Sequence, residues 1–217
     1  MKPSKGKSVH ELFGRPPAPR TGRDRIVAAG IELFYRHGFQ TIGLDRVLEH
    51  ADVTKTAFYK HFDTKDELML ECVRTRDRWE REAWERAVRR IGGEDPRDCL
   101  LAFFDVLDRW FNDPDFHGCI FVNAATEFSD PRDPIHRAAA AHKLSNHEFF
   151  RGLAAEAGAE DPDAFADHFT VLVEGTLALR HVYGRDDAAR TIRPAVRALL
   201  ERELRQGEPG ASARRRS

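Results

Sequence analysis

The chain has 217 residues, 41% of them hydrophobic and 33% charged, with a formal net charge of −1. That length holds one large or two modest domains, and near-neutrality excludes a protein that binds polyanions over its whole surface, so any nucleic-acid face has to be local. Cys72, Cys99 and Cys119 are far apart with no CxxC pair, as in a reduced cytoplasmic protein, no run approaches the roughly 18 apolar residues of a membrane span, and the basic N-terminus is not followed by an apolar signal core.

Residues 1–20 contain Pro3, Gly6, Gly14, Pro16, Pro17 and Pro19 with no helical period, and read as a disordered basic arm. Lys2, Lys5, Lys7, Arg15 and Arg20 oppose only Glu11, a formal side-chain charge of +4. Such an arm is either a solvated tail or a strand lying along phosphates or in a minor groove. The first helix then starts at Thr21-x-x-Asp24, carries Ile26, Val27, Gly30, Ile31, Leu33 and Phe34 as an apolar stripe, and ends at Gly38. In the second, Leu44, Val47, Leu48 and Ala51 share one face, and Asp45 sits in the first turn, where the helix dipole favours an anion. Ala51 to Thr54 supplies a tight turn. Asp52 has to swing the chain round there, a left-handed conformation that aspartate tolerates less well than glycine.

The third pattern, Thr54 to Phe62, is loaded with groups that donate to phosphates and base edges: Thr54, Lys55, Thr56, Tyr59, Lys60 and His61. Thr54 is a natural N-cap. Ala57, Phe58 and Phe62 are expected to point inward, and Lys55, Thr56, Tyr59 and Lys60 outward. No carboxylate falls between Val53 and Phe62. A helix entering the major groove needs that composition, because a carboxylate would be repelled by the phosphates. Thr64 and Glu67 form a capping box for the next helix, which Lys65 opens.

Gly38-Phe39, Ala51-x-Val53-Thr54, Ala57-Phe58-Tyr59-x-His61-Phe62 and Lys65-Asp66-Glu67-Leu68 resemble the N-terminal domain of TetR/AcrR-family transcriptional regulators, over roughly residues 21–70 without insertion. The resemblance implies an all-α homodimer: a three-helix helix-turn-helix DNA-binding domain (21–66), then a larger helical ligand-binding and dimerisation domain (67–206), with residues 207–217 a disordered tail. Two positions depart from the family: Asp52 stands where glycine is usual, and Gly43 where serine or threonine is usual. The implied DNA-facing residues are Lys55, Thr56, Tyr59, Lys60 and His61, with Thr41, Gly43, Thr54 and Lys65 positioning phosphates. The implied function is a repressor that binds a palindromic DNA operator as a dimer and is released by a small-molecule effector. A regulator with no small-molecule ligand, controlled by a protein partner, is the alternative.

From Lys65 the sequence stays helical, for about nine helices in all and no convincing strand. Leu68, Cys72, Trp79, Ala83 and Ala87 trace a long helix to Gly92-Gly93 that ties the two domains together. Further helices run over 95–113, 118–128, 134–157, 162–183 and from Asp186 or Asp187 onward, where Pro194 calls for a break near Arg190 or a kink. Aromatics at helical spacing make a core; as a set, with Thr126 and Glu127, they also suit a small-molecule pocket, bordered by Trp79, Phe103, Leu107, Trp110, Phe121, Asn123, His147 and Phe169. Gly118 to Phe128, followed by Pro131 and Pro134, resembles a regulatory-domain segment of one branch of the family. The last two long helices carry surplus apolar surface, and Phe165, Leu172, Leu179, Val182, Val196, Leu199 and Leu200 are the expected dimer interface. His136, His142, His147 and His168 show no HxxxH or HExxH pair and are read as solvated or hydrogen-bonded rather than metal ligands. No nucleophile elbow, P-loop or dinucleotide fingerprint occurs, so no catalytic residue and no cofactor is expected.

Overall fold

The computed structural model describes residues 9–204; the expected tail at 207–217 lies outside them, as does the start of the arm. Among the described residues there are ten α-helices and no strand. They are α1 (Val9–Phe13), α2 (Gly22–His37), α3 (Leu44–Ala51), α4 (Lys55–Phe58), α5 (Lys65–Gly92), α6 (Pro96–Phe111), α7 (Ile120–Glu127), α8 (Pro134–Glu156), α9 (Pro162–Tyr183) and α10 (Ala188–Glu203). The extra helix is α1, which corrects the expectation of an unstructured arm over residues 9–13. Leu12 and Phe13 are buried, and the Phe13 ring packs against Trp79 and Trp84 at centroid distances of 6.1 and 5.1 Å. Two hydrophobic side chains suffice to hold so short a segment once tertiary surface receives them.

Local sequence sets the helix starts. Thr21 and Asp24 form a reciprocal capping box, with Asp24 N donating to Thr21 Oγ1 at 3.1 Å and Thr21 N to Asp24 Oδ2 at 3.0 Å. α6, α8 and α9 each begin with Asp-Pro: the aspartate side chain accepts a backbone N–H, and proline takes the first helical position, where its missing N–H costs nothing. α10 runs on through Pro194 rather than breaking near Arg190.

α2, α3 and α4 enclose a small core of Ile26, Phe34, Phe39, Val47, Phe58 and Phe62. Phe34 stacks on Phe39 (5.1 Å) and Phe58 on Phe62 (5.5 Å); a fully buried phenylalanine is worth about 1.5–3 kcal/mol. α5 leaves this unit through Thr64, whose Oγ1 accepts from Glu67 N at 3.1 Å, and continues for 28 residues against α6 and α8. Phe103, Phe104, Phe150, Phe165 and Phe169 fill the second core, with rings as close as 4.7 Å.

Candidate nucleic-acid interface

The helix-turn-helix is built as its residues dictate. Asp52 takes φ 51° and ψ 54°, the one left-handed non-glycine among the described residues, and its N–H caps α3. Val53 N donates to Leu48 O at 3.0 Å, and Arg25 Nε reaches Ala51 O at 3.3 Å, so the turn is pinned from two sides. Thr54 Oγ1 then accepts from Ala57 N at 3.2 Å. The regular helix that follows is shorter than the sequence suggests. Tyr59 to His61 continue it as tightened turns, with Lys60 N to Ala57 O at 3.3 Å and His61 N to Phe58 O at 2.8 Å.

Phe58 and Phe62 are buried, while Lys55, Thr56, Tyr59, Lys60 and His61 are exposed on one side, Tyr59 at 54%. Thr41, Gly43 and Thr54 are exposed beside them. The face has one feature that spacing within the helix does not reveal. Asp45, from the first turn of α3, reaches across to Lys55, with Oδ1 3.1 Å from Nζ. This exposed face therefore includes a lysine paired with a carboxylate from the preceding helix.

Lys65 is placed differently from the expected phosphate contact. Its Nζ donates to Phe39 O at 2.8 Å and lies 5.9 Å from the Phe34 ring centre. Burial lowers its pKa, opposed by the nearby carboxylates of Asp66 and Glu127. Lys65 thus positions the α2–α3 loop in the free protein. The other side of the same peptide is held from the second domain. Glu127, the last residue of α7, accepts from Phe39 N at 3.0 Å and from Gln40 N at 2.8 Å. Arg36 pairs with Asp115 at 3.2 Å, and His117 N donates to Tyr35 Oη at 2.9 Å. The loop before α3 is therefore bolted to both α5 and α7.

Two family descriptions match the chain: "Bacterial regulatory proteins, tetR family" over residues 26–72 and "Tetracyclin repressor-like, C-terminal domain" over residues 96–196. The chain belongs to the TetR family. It is similar to SCO4454, a TetR-family transcriptional regulator of Streptomyces coelicolor, at 28% identity and a TM-score of 0.77, covering 84% of this chain and 96% of that one. The transcriptional regulator AcuR of Cereibacter sphaeroides is 28% identical over 182 residues, 75% of this chain and 82% of the relative. The HTH-type transcriptional regulator YjdC of Escherichia coli K12 is 22% identical over 156 residues, 72% of this chain and 81% of the relative. This TetR-family chain is accordingly a DNA-binding transcriptional regulator, not an enzyme.

The second half of the TetR-family chain rearranges several sequence expectations. Phe103, Leu107, Phe121 and Phe169 are buried in the packed core. Asn123 donates to His117 O at 3.3 Å, Thr126 to Val122 O at 2.9 Å, and His147 bonds Asp167 at 2.9 Å. Of the eight expected pocket residues, Trp79 and Trp110 line a cleft at the joint between the two halves of the chain. It has a volume of about 770 Å³ and opens between α2, α5 and the segment Pro16–Arg20, with Trp110 at its floor. Composition and spacing did not separate core aromatics from lining aromatics, because both are apolar at helical intervals.

The expected dimer residues divide in the same way. Phe165, Val196, Leu199 and Leu200 are buried within the protomer, so they are spent on its own core; Leu172 and Leu179 are half-buried. Val182 is 70% exposed, and so is Val171, which the sequence reading left out. With exposed Gly175 and Ala178 they make a small-residue stripe along α9, matched on α10 by exposed Thr191, Ala195 and Ala198. Bulky residues went inward, and small ones mark the outer face.

His136, His142, His147 and His168 all have hydrogen-bond partners. His142, buried, sends Nδ1 to Asp77 Oδ1 at 2.9 Å and stacks on Phe121 at 3.5 Å; His136 meets Phe128 O and His168 meets Glu203. Burial opposes ionisation of Asp77, yet hydrogen bonds from His142 and Arg81 outweigh it and hold its pKa below the usual range. Among the described residues no cluster of three or more potential ligands suits a metal ion, and no helix is long and apolar enough to cross a membrane.

Proposed function

We propose that this regulator is a cytoplasmic repressor that binds a palindromic operator as a homodimer and is released by a small-molecule effector. One observation carries the DNA reading: five donors, Lys55, Thr56, Tyr59, Lys60 and His61, are exposed together on a recognition unit whose own backbone holds no acid and whose inner side is locked by Phe58 and Phe62. Thr41, Gly43 and Thr54 take phosphates and set the register, while Lys55, Thr56, Tyr59 and Lys60 meet base edges. A unit this short offers too few contacts alone, so two copies on a two-fold axis reading half-sites about 34 Å apart are required. The small-residue stripes on α9 and α10 support a four-helix interface between protomers, since backbones approach closely where side chains are small and apolar surface is otherwise left in water.

Release follows from the wiring. The loop ahead of α3 is fixed to α5 through Lys65 and to α7 through Glu127. A ligand that favours a different tilt of α5 therefore moves the recognition unit and spoils its spacing in the dimer. Purified protein incubated with a random duplex pool is expected to enrich an inverted repeat, with affinity falling steeply as salt rises. Enrichment of no motif, or of a motif without two-fold symmetry, overturns the proposal.

A further inference from the structure

The cleft under Pro16–Arg20 is a constructed site rather than a packing gap. Its roof is held at both ends. On one side Phe13 is wedged against Trp79 and Trp84 and its carbonyl accepts from Arg86 at 3.4 Å; on the other Arg20 N is tied to Asp24 at 3.1 Å. The walls are Val27, Ile31 and Tyr35 of α2 and Trp79 of α5, above Trp110 of α6. The volume, about 770 Å³, is in the range of drug-sized ligand pockets.

The charges at the cleft settle the chemistry of its occupant. Glu71 is paired with Arg23 at 3.5 Å and Arg78 at 3.2 Å, Arg76 with Glu80 at 2.5 Å, and Arg36 with Asp115 at 3.2 Å. Arg20 also lines the cleft but is exposed to solvent; an ionic ligand reaching the walls beyond it would have to break one of these pairs, leaving a partly buried charge uncompensated. A neutral aromatic molecule breaks none of them and gains the indole, phenol and aliphatic surfaces.

We infer that this cleft is an effector site for uncharged, multi-ring aromatic compounds. It deepens the regulatory proposal above and rests on it only for the effect on DNA. One wall belongs to the DNA-binding unit and the other to the connecting helix, so the ligand sits across the joint between them instead of within the second core.

The test uses N-phenyl-1-naphthylamine and its sulfonated counterpart 8-anilinonaphthalene-1-sulfonate on the full chain without DNA, following emission of the tryptophans. Trp79 and Trp110 are two of the three in the chain and both line the cleft. The neutral probe is expected to quench them and to bind at least about tenfold more tightly than the sulfonate. Ala28→Trp fills the cleft from its exposed wall position and should weaken the neutral probe by about tenfold or more, whereas Ala155→Trp, on the exposed surface of α8, leaves it within about twofold. Ala18→Trp, placed in the roof, repeats the test if Ala28→Trp does not fold. Equal binding by the filled and unfilled proteins, or by both probes, or no quenching at all, overturns the site. A gel shift on the enriched duplex then separates the two claims. Saturating neutral probe should lower affinity at least about fivefold in the wild type and not in Ala28→Trp; probe binding without that change overturns the effector role, and failure to retain any duplex without probe sinks the DNA reading alone.

Discussion

Glu127→Ala tests the joint between the two halves of the molecule. The carboxylate takes the N–H of Phe39 at 3.0 Å and of Gln40 at 2.8 Å, and no other side chain holds those two amides. Hydrogen bonds to a charged group contribute about 1.5–3 kcal/mol each when buried, but Gln40 is exposed and water takes over its amide once the carboxylate is gone, so the net loss is about 2 kcal/mol. That corresponds to roughly 30-fold more frequent local opening of the α2–α3 loop. Amide hydrogen exchange read at Phe39 and Gln40 reports it directly, with Ile26 and Val47 in the α2–α3 core as references that should not change. Glu127→Gln is expected to fall between, because the amide keeps one acceptor and turns a donor toward the second N–H. Unchanged protection at Phe39 and Gln40 in the alanine variant would refute the anchor.

Four further outcomes follow from other contacts. Tyr59→Ala and Lys60→Ala should each weaken operator binding by about 1–3 kcal/mol; both side chains are exposed, so thermal stability should hold, and full affinity in the double variant refutes the interface. Ala178→Glu places a carboxylate in the middle of the α9 stripe and should give a monomer by light scattering with unchanged helix content; a wild-type monomer at micromolar concentration sinks the dimer itself. Asp52→Gly relieves a left-handed residue at φ 51° and should stabilise the fold by about 0.5–1 kcal/mol, read as a higher denaturation midpoint. Asp77 has a depressed folded pKa, so its contribution is complete above its unfolded pKa of about 3.9 and is lost as pH falls through the lower folded value. Asp77→Asn should therefore cost about 1–3 kcal/mol at pH 7 and flatten the loss of stability below pH 4; parallel pH curves for the two proteins contradict that.

The recognition unit was legible because its determinants are local. Thr21, Thr54 and Thr64 cap the helices they precede, and Phe58 and Phe62 fall on the inner side by spacing alone. What escaped depends on partners distant in sequence. Lys65 looks like any first-turn lysine until Phe39 O is seen beside it, and Glu127 looks like a pocket anchor until the α2–α3 amides arrive 87 and 88 residues away. The short helix at Val9–Phe13 carries no period to detect; Leu12 and Phe13 gain meaning only from Trp79 and Trp84. The expected pocket mixed core and lining aromatics for the same reason: an apolar side chain shows that it leaves water, not whether it meets a neighbour or an empty space.

The ion pair between Asp45 and Lys55 gives the free protein an internal stand-in for a phosphate. Every duplex has to evict that aspartate before Lys55 is available, at a cost of up to about 1 kcal/mol for so exposed a pair. That cost is common to matched and random sequences, so it lowers both affinities by the same factor and leaves their ratio to the contacts Lys55 makes afterwards. A single acid set one helix away is then a brake on overall affinity, one that Asp45→Ala would release.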